Sequence, residues 1–166
     1  RADWDLKQHE KFSGQSMKYK DPVTGEDYTP WDIETSAGVD RAALAFLLNA
    51  YSEEEGRVLM KLNPKLAPYK VSVFPLLGNK PELAEKARGI YDTLKKQYMS
   101  AWDDRGNIGK RYAAQDEAGT PFCVTVDFQT LEDDVVTVRD RDTAIQERLK
   151  ISELQNYLQQ KIDKDN

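Results

Sequence analysis

Cysteine and histidine each occur once, as Cys123 and His9. A lone thiol closes no intramolecular disulfide, and one residue of each type cannot make a cluster with zinc-ligand spacing, so neither kind of staple is expected. His9 stands among Lys7, Glu10 and Lys11, with no partner in sequence for a Ser/His/Asp arrangement. Long apolar runs are missing as well. Nothing approaches the roughly 18 residues that span a bilayer, and the N-terminus shows no charged stretch leading into an apolar segment and a cleavage site, so a cytoplasmic location and no membrane partner are expected. An excess of basic residues is also absent. A formal net charge of −5 argues against coating DNA or RNA through bulk charge, while leaving room for a local basic patch that docks one particular RNA.

What remains is ample for a core. The chain has 166 residues, 39% hydrophobic and 32% charged, which fits one ordinary domain with part of another. Residues 1–31 are polar, carry a turn signal at Pro22-Val23-Thr24-Gly25 and lack a sustained helical period, so loops and short strands are expected there. Ile33 to Ser36 reads as the end of a strand. After Gly38, residues 40–51 read as a helix that is apolar on nearly every side, a pattern that requires burial all round. The charge run Ser52 to Gly56 and the two prolines in Leu62-Asn63-Pro64-Lys65-Leu66-Ala67-Pro68 place a domain boundary near Leu62, giving units 1–61 and 62–166.

The second unit is orderly. Lys70 to Leu76 reads as a buried strand, and Pro81 to Tyr98 as a helix with Leu83, Ala87, Ile90, Tyr91, Leu94 and Tyr98 on one face. Met99 to Trp102 follows as a short strand, then a polar loop, then a helix from Ile108 to Ala118 stopped by Gly119. Alternation in Phe122 to Phe128 and in Val136 and Val138, around a turn at Glu132-Asp133-Asp134, predicts an antiparallel hairpin. A last strand over 144–149 and a capping box at Ser152-Glu153-Leu154-Gln155, opening a helix to about Ile162, complete the pattern. The fold class is α/β: a mixed, mostly parallel sheet flanked by helices.

Three stretches carry candidate chemistry. Gly106-Asn107-Ile108-Gly109-Lys110-Arg111 has two residues between its glycines and Arg after the Lys. The nucleoside-triphosphate loop needs four, then Ser or Thr, so that reading is rejected. A loop-to-helix junction with cations remains, suited to an RNA phosphate or base edge or to an ordinary solvated helix start. Val138-Arg139-Asp140-Arg141-Asp142 alternates in sign, either to meet RNA or to pair with itself along a sheet edge. Asp40-Arg41 heads the apolar helix, where a guanidinium beside the positive end of the helix dipole can clamp a polyphosphate, or form a plain surface pair. Cys123 reads as a buried packing residue.

Several blocks match a family in collinear order along essentially the whole chain. They are Arg1-Ala2-Asp3-Trp4-Asp5-Leu6 with His9, Ile33-Glu34-Thr35-Ser36-Ala37-Gly38-Val39-Asp40-Arg41, Lys65-Leu66-Ala67-Pro68, Ile108 to Glu117, and Gly119 to Asp127. The sequence closely resembles the dimeric class II glycyl-tRNA synthetase family. The resemblance implies a C-terminal portion of such an enzyme: a remnant of the antiparallel catalytic domain with class II motif three in residues 1–61, then the anticodon-binding domain in 62–166. The first two class II motifs are expected upstream of Arg1, and the portion alone is not expected to aminoacylate.

By the same resemblance Arg41 is the catalytic, ATP-binding arginine of motif three. Glu34 receives the glycine ammonium and helps bind ATP, and Ser36 and Arg1 line the glycine pocket. Thr35 replaces the usual proline of that turn. ATP with Mg2+, glycine, the glycine tRNA and a second subunit are the implied substrates and partners, with no protein-held metal. Asp103, Arg105, Lys110, Arg111, Arg139 and Arg141 are the expected anticodon contacts, with Tyr112 or Trp102 as a stacking platform. The rival reading is a non-catalytic RNA-binding module on the same fold, which gives no reason for Glu34-Thr35-Ser36 and Arg41 to precede it.

Overall fold

Ten residues without a clear helical period form the first helix, α1 (Trp4–Ser13). None of them is buried, which is why no apolar stripe announces the helix in the sequence. What marks it is local: Lys7 pairs with Asp3 one turn back, and Gly14 caps the end at φ 68, its N–H donating to Glu10 O at 3.0 Å. The computed structural model describes residues 2–54 and 56–163.

A two-residue ladder follows, β1 (Tyr19–Lys20) antiparallel to β2 (Asp27–Tyr28). The expected turn lies between them, where Asp21 Oδ1 accepts from Val23 N at 2.7 Å and Thr24 N at 3.1 Å. Ile33 to Ser36 forms no strand. Helix α2 spans Val39–Ala50, as the pattern predicts, yet among its residues only Ala50 is buried, and Leu44, Phe46, Leu47 and Leu48 are exposed. The chain divides into two compact units, 1–42 and 43–166. That division lies upstream of the compositional boundary at Leu62, because the hairpin of β3 (Tyr51–Glu54) and β4 (Arg57–Met60) packs on the second unit.

In that unit β5 (Val71–Pro75), α3 (Pro81–Leu94), β6 (Ser100–Trp102), α4 (Ile108–Ala118), β7 (Phe122–Val126), α5 (Phe128–Asp133), β8 (Val135–Asp140), β9 (Gln146–Lys150) and α6 (Leu154–Asp163) succeed one another. The sheet order is β6-β5-β7-β8-β9. β5 runs parallel to β6 and β7, while β8 is antiparallel to β7 and β9. This is the mixed sheet flanked by helices that the alternation implies.

Two local details differ from the sequence reading. The run ending at Phe128 leaves the sheet two residues early, because Asp127 caps a short helix: its Oδ1 accepts from Thr130 N while Thr130 Oγ1 accepts from Asp127 N. The last helix is entered through a 3₁₀ turn at Ile151–Glu153 rather than at a Ser152 cap.

The two faces of the sheet differ. On one, Val71, Val73, Phe122, Val124, Val126, Val136 and Val138 meet Leu83, Ala87, Ile90 and Leu94 of α3 and Leu154, Leu158 and Ile162 of α6. Each fully buried leucine there contributes about 2 kcal/mol. The other face carries Ser72, Phe74, Cys123 and Thr125 under α4. Burial pushes the Cys123 thiol up to about 12, which keeps it protonated and unreactive at neutral pH.

Gly119 closes α4 at φ 79, and a side chain there would place its Cβ 3.0 Å from Met60 O. Gly119→Ala is therefore expected to cost about 1–2 kcal/mol for the left-handed backbone, read as a lower urea midpoint at unchanged slope. Asp127 supplies a second check. Burial pushes its carboxyl up, but the Thr130 and Arg148 donors outweigh that and leave it below its ordinary value. A carboxyl lowered on folding stabilises above its unfolded value, about 3.9, and that contribution is lost as the pH falls through the lower folded value. Asp127→Ala should cost about 1 kcal/mol at neutral pH, with the difference shrinking in acid.

Candidate functional site

Crossovers β5-α3-β6 and β6-α4-β7 leave from neighbouring parallel strands to opposite faces, α3 over Val71 and Val73, α4 over Phe74. Their outgoing loops, 76–80 and 103–107, therefore part at the carboxyl ends of β5 and β6, the place where an α/β sheet opens a crevice for ligands. Here Arg111 fills it. Only 2% exposed, it donates from Nη1 to Pro75 O at 2.6 Å and Asp103 O at 3.3 Å, and from Nη2 to Leu76 O at 3.0 Å. Burial pulls its guanidinium below the usual arginine value, partly offset by Asp103 and Asp104. The two loops also touch directly: a Cβ on Gly78 would collide with the Asp104 carbonyl. Arg111 and Gly78 thus fix where the 103–107 loop stands.

That loop presents the polar groups. Asp103 Oδ1 accepts from Arg105 N at 3.0 Å and Nε at 3.4 Å. Burial raises the Asp103 carboxyl, and the Arg105 bonds turn the balance so that it lies below its usual value. Asn107 Oδ1 caps α4 by accepting from Lys110 N at 2.9 Å. Arg105 and Lys110 are exposed and Asp103 is half-buried.

The other expected contacts lie elsewhere. Register sets Arg139 opposite Cys123, at the amino end of the parallel strands and so at the far end from the 103–107 loop. Arg139 binds Asp116 through both oxygens, at 2.8 and 3.0 Å, and Asp116 also takes Arg57 Nη2 at 3.0 Å. Arg141, 2% exposed, donates to Gly119 O at 2.7 Å, Leu62 O at 2.9 Å and its neighbour Asp142. Arg111, Arg139 and Arg141 are buried internal fasteners rather than surface groups, and of the six expected contacts Asp103, Arg105 and Lys110 are the ones that reach solvent. Tyr112 is engaged too: its ring has Phe74 at 5.9 Å and Arg139 at 4.8 Å, and its hydroxyl bonds Thr125 at 2.6 Å. Trp102 is half-buried, with the Arg88 guanidinium over its ring.

In the first unit Glu34, Ser36 and Arg41 are all exposed. Glu34 and Ser36 sit in the irregular stretch before α2 and Arg41 in its first turn, where Ala42 N donates to Gly38 O at 2.9 Å. Among the described residues neither Glu34 nor Arg41 has an ion-pair partner, so the surface pair Asp40-Arg41 is not made. Arg1 lies outside the described residues. Among the described residues no group of His, Cys, Asp or Glu is placed to hold a metal, and no helix is long and apolar enough to cross a membrane.

Sequence reasoning missed Arg57, Asp116, Gly78 and Arg88. Only Gly78 left a trace, as a glycine two residues beyond a strand. The others become visible only through tertiary packing, Arg57 on Asp116 and Arg88 on Trp102.

Residues 70–161 match the anticodon binding domain family. Three curated relatives named glycine–tRNA ligase are similar over 98% of this chain: 50% identity in Alkaliphilus oremlandii, 50% in Clostridium beijerinckii and 52% in Caldanaerobacter subterraneus subsp. tengcongensis. The chain spans 36%, 36% and 35% of their respective lengths.

Removing the shared carboxylate tests the fasteners. Asp116→Leu leaves the buried Arg139 and the partly buried Arg57 unpaired, an expected loss of about 3–5 kcal/mol in chemical denaturation. Lys110→Ala, on the surface, should change stability by less than about 0.5 kcal/mol.

Proposed function

The chain belongs to the anticodon binding domain family, and from that premise we propose that it is part of a glycine–tRNA ligase. In this reading residues 62–166 take the anticodon arm of glycine tRNA, and residues 1–61 are the C-terminal part of the catalytic domain, with motif three. The observation that carries it is the reach of the similarity: the relatives match 98% of the chain, beyond the family match at 70–161. A bare RNA-binding module accounts for the second stretch and leaves Glu34, Ser36 and Arg41 unexplained. The uncovered apolar side chains of α2 support the same reading, since the rest of a catalytic domain would bury them.

Arg41 holds the ATP phosphates, helped by the positive end of α2. Among the described residues it has no ion-pair partner, which suits that task. Glu34 takes the glycine ammonium and helps seat ATP, while Ser36 and Arg1 close a pocket too small for a side chain, so selection is steric. The glycine carboxylate attacks the ATP α-phosphate, giving glycyl-adenylate and pyrophosphate. A terminal ribose hydroxyl of the tRNA then takes the glycyl group and releases AMP. No covalent enzyme intermediate is needed, and catalysis rests on in-line placement and charge neutralisation. Mg2+ arrives on the ATP phosphates. The intact enzyme acts as a homodimer in the cytoplasm.

Two measurements test this. In the full-length enzyme Arg41→Ala should lower glycine-dependent ATP–pyrophosphate exchange by roughly 10²–10³-fold, and an unchanged rate would remove Arg41 from the site. In the chain itself, neutralising Arg105 and Lys110 together should weaken glycine-tRNA binding and reduce the salt slope by about 1 per residue.

A further inference from the structure

Arg88 stands apart from the other cations of the sheet unit. It is exposed on α3 and has no hydrogen bond or ion pair among the described residues, although Asp92 follows it by one helical turn, the usual spacing for a pair. The Asp92 carboxylate is held instead by Lys95 Nζ at 2.6 Å, and Arg88 lowers its pKa only from a distance. The Arg88 guanidinium lies over Trp102, its carbon 3.9 Å from the ring centroid, with Tyr91 at 5.4 Å. Tyr91 meets Trp102 edge-on, at 5.8 Å and 63°.

The position matters as much as the stack. Trp102 ends β6, an edge strand, and its register with Val73 puts the indole on the α3 face. The next residue is Asp103, the start of the polar loop.

A guanidinium is planar and weakly hydrated, and it stacks on aromatic faces. One face of Arg88 is spent on the indole. Tyr91 lies farther off, at 5.4 Å, the Arg88 side chain is exposed, and among the described residues none of its N–H donors is used. Bases splayed from an RNA loop stack on such planes.

We propose that Arg88, backed by Trp102 and steadied by Tyr91, is the stacking seat for one unpaired base of the RNA loop received by residues 103–107. This rests on the tRNA reading above and deepens it. The seat adds affinity with little base preference, because every base has a π face. Identity is left to edge contacts from Asp103, Arg105 and Lys110.

The test uses the chain and a hairpin RNA copying the anticodon arm of glycine tRNA, with 2-aminopurine at one loop position at a time. Binding should alter the fluorescence at one position. Arg88→Lys keeps the charge and loses the plane, so it should abolish that change and weaken binding roughly 5- to 150-fold while keeping the salt slope. Arg88→Ala should do the same and lower the slope by about 1. Both variants should stay folded, with an unfolding free energy within about 1 kcal/mol of the unaltered chain, since among the described residues Arg88 makes no hydrogen bond or ion pair and loses only its stack on Trp102.

If Arg88→Lys binds as tightly as the unaltered chain, the contact is mere charge and the seat is wrong. Unimpaired binding by Arg88→Ala, with loss on neutralising Arg105 and Lys110, sinks the seat and leaves the tRNA reading standing. Failure of the unaltered chain to bind the hairpin overturns both.

Discussion

One carboxylate, that of Asp116, organises the polar side of this protein. It grips Arg139 through both oxygens and Arg57 through one, and so joins α4 to β8 and to the β3–β4 hairpin. Burial works against the charge on Arg139, but the bonds from Asp116 override it and raise its pKa. Arg57 keeps partial contact with water, its side chain 32% exposed, which limits the cost of a second cation on one anion. Arg141 extends the same logic by ordering carbonyls: Leu62 O and Gly119 O converge on its guanidinium.

Around that anchor the sheet divides its labour. The α3 and α6 face is aliphatic and supplies adhesion without direction. The α4 face is polar and supplies register, since a bidentate pair tolerates little displacement. At the carboxyl ends of β5 and β6 the third buried arginine, Arg111, ties two diverging loops through three carbonyls. What reaches solvent there is a short acidic-basic loop on a rigid footing, which lowers the ordering cost of any contact it makes.

Most of the architecture was legible in the sequence. The strand at 71–75, the α3 stripe, the Gly119 cap and the antiparallel pairing of β7 with β8 all follow from periodicity and turn chemistry. The site was legible only in part. Arg139 and Arg141 read as surface cations because alternating signs look the same whether the partners lie inside or outside; Asp116 and Arg139 are 23 residues apart, and only pairing shows that they meet. Helix α1 was missed because it buries nothing. Helix α2 was found, but its implied all-round burial is not met within the described chain.

The central pair of strands sets the order in which this unit can form. Phe122 lies beside Val71 and Val126 beside Pro75, yet α3, β6 and α4 all intervene along the chain. Closing so long a loop is unrewarded until β7 arrives. Helices α3 and α4 must therefore wait without a complete surface to rest on, and the folding nucleus has to span distant parts of the sequence. During synthesis a ribosome must deliver β7 before the first strand of this sheet, which can already meet β6, is flanked on both sides.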